Sequence, residues 1–387
     1  MATGTFPGYA FGVLGPQLVV TFGLSRFELG FLTASLFLVG GGASLVAGHA
    51  VDRFGGKLVL NISFVLTGVA ILGMAIAPTY PILLVMAAIA GISVATGNPM
   101  TNKLVAVNLA PGRRGLTMGS KQAGVQVGAF LTGALLAPLA VGMGWRAALG
   151  WSAIVPFAAV VAGILLIPRD EPAPRTGEGR PAEPGLGSVA RLPAGVRWLA
   201  LYGFLMGMGV AAVNAYLPLY LVETGGASAT VAGAVVALIG FTGIVSRVLW
   251  GWGSERLRGF ALPLIALGAG AIVATGLILG VQSVGLWVAW VAALVFGATA
   301  VTWNAVGMLA VLAVSGPRSA GLASGLVLTG FYIGFVGGPL VFGWMVDRLG
   351  GYGPAWLMVG AVFAAATLVV VAWQRTERSP VAIGVVA

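Results

Sequence analysis

Cysteine is absent from the 387-residue chain, and histidine occurs once, as His49. Without thiols there is no disulfide framework, no thiolate nucleophile and no cysteine metal site, and a single imidazole cannot assemble a metal cluster alone. No metal or other cofactor is expected. Charge is the next scarcity: Asp, Glu, Lys and Arg make up 8% of the residues while 59% are hydrophobic, against about 25% charged in soluble domains. No soluble core could hide so much apolar surface. Bilayer is the solvent this composition requires, and a conventional enzyme is not expected.

The formal net charge of +10 would suit nucleic acid, but the basic residues stand mostly in short segments between apolar runs. That distribution follows the positive-inside rule, so it sets orientation and implies no nucleic-acid partner. With the linker described below on the cytoplasmic side, Arg53, Lys57, Arg113, Arg114, Arg256, Arg258 and Arg318 lie there too, as do Arg375 and Arg378 in the tail. The opposite face holds Arg26, Arg146 and Arg348. Both termini are then cytoplasmic, and an integral inner-membrane, multi-pass monomer in the lipid bilayer is expected. Met1 stands practically at the membrane surface with no basic stretch before Arg26. A cleaved signal peptide is therefore not expected, and a truncated or misassigned start is the better reading.

A helix needs about 20 apolar residues to cross roughly 30 Å of hydrocarbon. Runs of that kind fall at 2–21, 29–48, 58–77, 82–107, 116–140 and 145–167 (spans 1 to 6), then at 196–221, 229–251, 261–280, 285–313, 320–343 and 354–374 (spans 7 to 12). Between the sets lies a stretch rich in Pro, Gly, Arg and Glu (PRDEPAPRTGEGRPAEPG), which cannot bury a core and reads as a flexible linker. The expectation is an all-α membrane protein of twelve transmembrane helices in two six-helix bundles, 1–167 and 196–387, joined by a cytoplasmic linker at 168–195.

The halves repeat one another. A shift of 203 places Gly23 on Gly226, Ser25 on Ser228, Gly30 on Gly233, Gly40 on Gly243, Gly48 on Gly251, Asp52 on Glu255 and Arg53 on Arg256. A shift of 206 places Gly91, Thr96 and Asn98 on Gly297, Thr302 and Asn304, and Gly115, Gly119, Gly124 and Gly128 on Gly321, Gly325, Gly330 and Gly334. Glycine matches alone come cheaply in a chain with 62 glycines; the accompanying acidic, basic and Asn matches do not.

After span 2 stands the segment GHAVDRFGGK, with Gly48, Asp52, Arg53, Gly55 and Lys57, and after span 8 a degenerate copy carrying Glu255 and Arg256. This pattern, with twelve spans and a central linker, resembles the major facilitator superfamily over essentially the whole chain. A carboxylate beside an arginine in a Gly-containing turn can pair with helix ends and the positive dipole of a facing N-terminus, latching the halves as a gate; the plainer alternative is a solvated, orienting loop. Span 5 (RGLTMGSKQAGVQVG) followed by Gly144-Trp145-Arg146 is similar to cyanate and nitroimidazole permease-like members. The superfamily's antiporter glycine pattern is only partly matched there.

Two ionisable residues, Lys121 in span 5 and Arg247 in span 8, fall at membrane depth, where charge is costly and marks function by default. All ten acidic residues sit in loops or at span ends. A cavity with two cations and no carboxylate should attract an anion. Snorkelling of either head group to the surface is the competing explanation. Arg247 stands four residues before Gly251, much as in the monocarboxylate and oxalate/formate carriers this region resembles, which implies a guanidinium fork on carboxylate. Those carriers often place an Asp where this chain has Gly243, so proton symport and anion exchange both stay open as coupling modes. Candidate cavity-lining residues are Gln17, Asn98, Asn102, Gln122, Gln126, Asn214, Tyr216, Trp303, Asn304 and Tyr332; interhelical hydrogen bonding or packing explains each equally well. The function expected is secondary active transport, by alternating access, of a small, monocarboxylate-like anion, with protons as a candidate co-substrate. A proton-coupled efflux antiporter for lipophilic compounds is the alternative.

Overall fold

The computed structural model describes residues 1–108, 114–167, 192–254 and 259–378. These are helical, with no strand among them, as a lipid-embedded backbone requires when each helix satisfies its own N–H and C=O groups. Eleven of the described helices are long and apolar enough to cross a membrane, against twelve spans expected. The difference is span 1, which appears as two helices, Ala2–Val13 and Gly15–Phe22, meeting at Leu14. Pro16 supplies no N–H to the preceding turn, and Gly23 ends the second helix in the left-handed conformation at φ 65°. Span 2, Arg26–Phe54, starts on a reciprocal capping box: the Ser25 hydroxyl accepts from Glu28 N–H while the Glu28 carboxylate accepts from Ser25 N–H.

Burial sorts helices into central and peripheral ones. In span 7, Ala194–Glu223, 78% of the spanning window is buried, whereas in span 6, Trp145–Leu166, 22% is. Leu165 and Leu166 are 75% and 78% exposed, an arrangement that is costly in water and free in hydrocarbon. Span 10 is interrupted by a short 3-10 turn at Ala300–Thr302, and a single long helix, Trp303–Leu349, runs on through a kink at Gly316 into span 11.

Sequence-equivalent positions make equivalent contacts. Gly91 packs on the Leu36 carbonyl where spans 2 and 4 cross, and Gly297 packs on the Ile239 carbonyl where spans 8 and 10 cross; each pair maps on the other under the two shifts. The same holds between the halves. Gly133 in span 5 lies against the Gly233 carbonyl in span 8, and Gly30 in span 2 lies against the Pro339 carbonyl in span 11. Position 30 maps on 233 and position 133 on 339, so the 5/8 and 2/11 seams are the same contact made twice. A Cβ at either glycine would collide with backbone, which is why small residues stand where helices approach so closely.

Candidate functional site

Between the halves lies a cavity with about 890 Å³ of empty space, counting its open mouth. Its polar lining includes Tyr9, Thr33, Gln122, Asn214, Arg247 and Asn304, and its aromatic lining Phe37, Trp303, Phe331, Tyr332 and Phe335.

Arg247 is the charged centre of this lining and is only 6% exposed, so its head group does not reach for bulk water. Its Nε and one terminal nitrogen donate to the Val301 carbonyl at 3.1 and 2.7 Å, and the other terminal nitrogen donates to the Gln122 carbonyl. Val301 lies in the 3-10 turn that interrupts span 10, and its carbonyl, like that of Gln122, has a lone pair to give. Thr299 and Thr302 turn their hydroxyls back onto the Val295 and Gly297 carbonyls, at 2.6 and 3.1 Å, which satisfies the acceptors the interruption frees. The guanidinium thus crosses from span 8 to span 5 and joins the halves. Carbonyls satisfy its hydrogens without cancelling its charge, and three of its five N–H groups are committed in this way.

Tyr9 donates to Gln126 Oε1 at 2.7 Å, and Gln126 packs on Gly243. Gly243 is where resembling carriers often hold an Asp; a Cβ there would meet the Gln126 side chain. Two cavity-lining atoms, Thr33 Oγ1 and Asn304 Oδ1, are buried with no hydrogen-bond partner, as is Gln126 Nε2.

Of the residues singled out from sequence, Gln122, Asn214, Arg247, Trp303, Asn304 and Tyr332 come together around the cavity. Lys121 is half-buried one position from Gln122 and stands outside this lining. Gln126 reaches it through Tyr9. Tyr216 lies elsewhere: its hydroxyl donates to the Arg26 and Pro339 carbonyls at 2.5 and 3.0 Å. Gln17 Oε1 is buried without a partner, also away from the cavity. The side chains of Asn98, Asn102, Gly48 and Asp52, and residues Glu255 and Arg256, lie outside the described residues. In the loop after span 2, Arg53 is exposed over the Phe54 ring at 5.3 Å, Gly55 turns the chain at φ 87°, and Lys57 donates to the Ile164 and Ile167 carbonyls of its own half at 2.7 and 2.6 Å. Tyr9, Thr33, Phe37, Phe331 and Phe335 were not foreseen; aromatic and small polar residues in an apolar run carry no sign of which face is wet.

A polar layer also joins the halves at the start of span 2. Arg26 pairs with Glu223 at 2.6 Å, and Tyr352 donates to the same carboxylate at 2.7 Å. The Asp347 carboxylate accepts from the Arg26 and Phe27 N–H groups at 3.0 and 2.8 Å, so span 11 caps the N-terminus of span 2 from the other half of the chain.

Eleven or more spans, two matching inter-half seams and a charged cavity at their crossing define a polytopic membrane carrier with internal repeats. The chain belongs to the Major Facilitator Superfamily, whose family model matches residues 2–336. Among curated relatives it is 30% identical over 282 residues to a probable nitrate/nitrite transporter, NarK2, of Mycobacterium tuberculosis, covering 69% of this chain and 68% of that protein. It is 25% identical over 389 residues to a probable sulfoacetate transporter, SauU, of Cupriavidus necator, covering 92% of this chain and 87% of that one. Among solved structures the nucleoside transporter NupG superposes with a TM-score of 0.76 at 13% identity, covering 96% of this chain and 98% of that one, a likeness of fold alone. The chain is accordingly a multi-pass integral membrane protein.

Proposed function

We propose that the chain is a secondary active transporter of a small, monocarboxylate-like anion, and that Arg247 is the group that holds it. The observation that carries this reading is a buried guanidinium whose partners are all neutral carbonyls. Charge at membrane depth is normally paired. Here the described acidic residues sit at span ends, so the counter-charge is left for the cargo to bring. Two N–H groups of the fork are uncommitted, the number a bidentate oxyanion needs. Relatives named for nitrate/nitrite and sulfoacetate support an anion over a lipophilic cation.

In this proposal two bundles, 1–167 and 196–387, rock about the cavity with the 168–195 linker and both termini on the cytoplasmic side of the inner membrane. An anion that draws the fork away from the Gln122 carbonyl loosens the 5/8 seam at that point, which couples occupancy to the rocking. Proton symport or anion exchange supplies the driving force.

The test is uptake of labelled acetate and nitrate into proteoliposomes holding the full chain, with and without a pH gradient or internal anion. Arg247→Gln is expected to weaken anion binding about 10- to 100-fold, from the roughly 1.5–3 kcal/mol of a hydrogen bond to a charged group. Arg247→Lys, which keeps the charge and loses the planar fork, should fall between the two. Unchanged affinity and rate in a properly folded Arg247→Gln protein would remove Arg247 from the site.

A further inference from the structure

We infer that the cargo is an aryl carboxylate, seated with its carboxylate on Arg247 and its ring against Phe37 and Phe331; this deepens, and rests on, the reading of the cavity as an anion site. The cavity is two-sided. Spans 5 and 8 bring Gln122 and the guanidinium of Arg247 together, and spans 2 and 11 bring a continuous aromatic surface, Phe37, Phe331, Tyr332 and Phe335. Phe335 is the hub of that surface, with ring centroids 4.4 Å from both Phe37 and Phe331. Trp303 adds to it at 5.3 Å from Phe331.

The burial within this cluster is graded. Trp303 and Phe335 are 2% and 8% exposed and form its foundation, while Phe37 and Phe331 are half-buried and line the space. A bare inorganic anion has no use for such a wall, because the face of an aromatic ring is its negative side. A neutral ring at the far end of an organic anion stacks there favourably.

The experiment is calorimetric binding to the purified full chain in lipid nanodiscs, with benzoate, cyclohexanecarboxylate, acetate and nitrate as probes at neutral pH. Benzoate is expected to bind at least about tenfold more tightly than acetate or nitrate, and more tightly than cyclohexanecarboxylate, which has comparable bulk and no π-face. The benzoate-to-acetate ratio should fall severalfold in Phe37→Leu and in Phe331→Leu. The ratio in the unmodified protein already decides the matter should either variant misfold. If benzoate binds no better than acetate, nitrate or cyclohexanecarboxylate while Arg247→Gln still weakens binding, the aryl proposal is overturned and the anion site stands. If Arg247→Gln leaves all four affinities unchanged, the anion site falls and the aryl proposal with it.

Discussion

The 5/8 and 2/11 seams are built on one pattern and fastened in opposite ways. Both use a glycine packed on a carbonyl of the facing helix at matching positions, Gly133 on Gly233 and Gly30 on Pro339. On the 5/8 seam polarity sits toward the C-terminal end of span 8, Ala229–Ser254, where Arg247 reaches the Gln122 carbonyl. The equivalent positions of the other seam hold Ser44, whose hydroxyl merely folds back to the Gly40 carbonyl at 2.7 Å, and Leu328. Gln126 of span 5 corresponds to Tyr332 of span 11, which stacks with Phe37 at 6.2 Å. The 2/11 seam keeps its polarity for its end, at Arg26 and Asp347; the positions equivalent to these on the 5/8 seam are Ala229 and Val141. A duplicated scaffold has thus been specialised into a charged wall and an aromatic wall facing one cavity. Close packing of backbones fixes geometry in both seams, and side chains alone distinguish them.

The largest effect is expected from moving the charge between seams. In Arg247→Ser combined with Ser44→Arg, the guanidinium lies where span 4 runs as regular helix, Tyr80–Asn108, and no interrupted turn like Ala300–Thr302 offers a carbonyl. A buried charge deprived of its partners costs about 3–5 kcal/mol. The double variant should therefore lose thermal stability in detergent and bind no anion. Retained stability and anion binding would show that the carbonyl platform under Arg247 is dispensable and that the seams are interchangeable.

A smaller and symmetrical effect is expected from the glycines. Gly133→Val and Gly30→Val each push side-chain atoms into facing backbone, and overpacking of this kind costs about 1–3 kcal/mol. If the seams are one contact made twice, the two variants should lower the melting temperature by similar amounts. A loss confined to one of them would mean that the matching contacts are geometrically alike and energetically unequal.

Much of this was legible before any coordinates. The two shifts that align the halves in sequence also align Gly91 with Gly297 and Leu36 with Ile239 in space, because a duplicated helix pair preserves the small residues that let it cross. Arg247 was legible because charge in an apolar run is conspicuous. The aromatic wall was not: Phe37, Phe331 and Phe335 lie in runs that are apolar on every side, and a helix hydrophobic all round does not reveal which face meets lipid. The Val301 platform was hidden for a different reason, since the turn that holds its carbonyl contains neither Gly nor Pro and depends on threonine hydroxyls bonding backward. Tyr216 read as a lining candidate with interhelical hydrogen bonding as the equal alternative; its hydroxyl reaches two carbonyls near the closed face. Glu223 and Asp347 read only as acids at span ends, for their partner Arg26 lies 197 and 321 residues away in sequence.

That closed face offers the smallest and most discriminating prediction. The Arg26–Glu223 pair is about a quarter exposed on each side, and ion pairs in such settings contribute roughly 0.2–1 kcal/mol. Asp347 differs in kind. It accepts two N–H groups at the first turn of span 2 and places a carboxylate on the positive end of the helix dipole, a capping role worth about 0.5–2 kcal/mol. Asp347→Asn should therefore loosen the end of the 2/11 seam more than Glu223→Gln, and raising the salt concentration should diminish the Glu223 effect further than the Asp347 effect. Labelling of a cysteine placed at exposed Phe27 by a membrane-impermeant maleimide reads the opening directly. The labelling rate should rise in the order unmodified, Glu223→Gln, Asp347→Asn. The reverse order would assign the closure of this seam to the ion pair, and equal rates in all three would show that the Gly30–Pro339 packing closes it without help from charge.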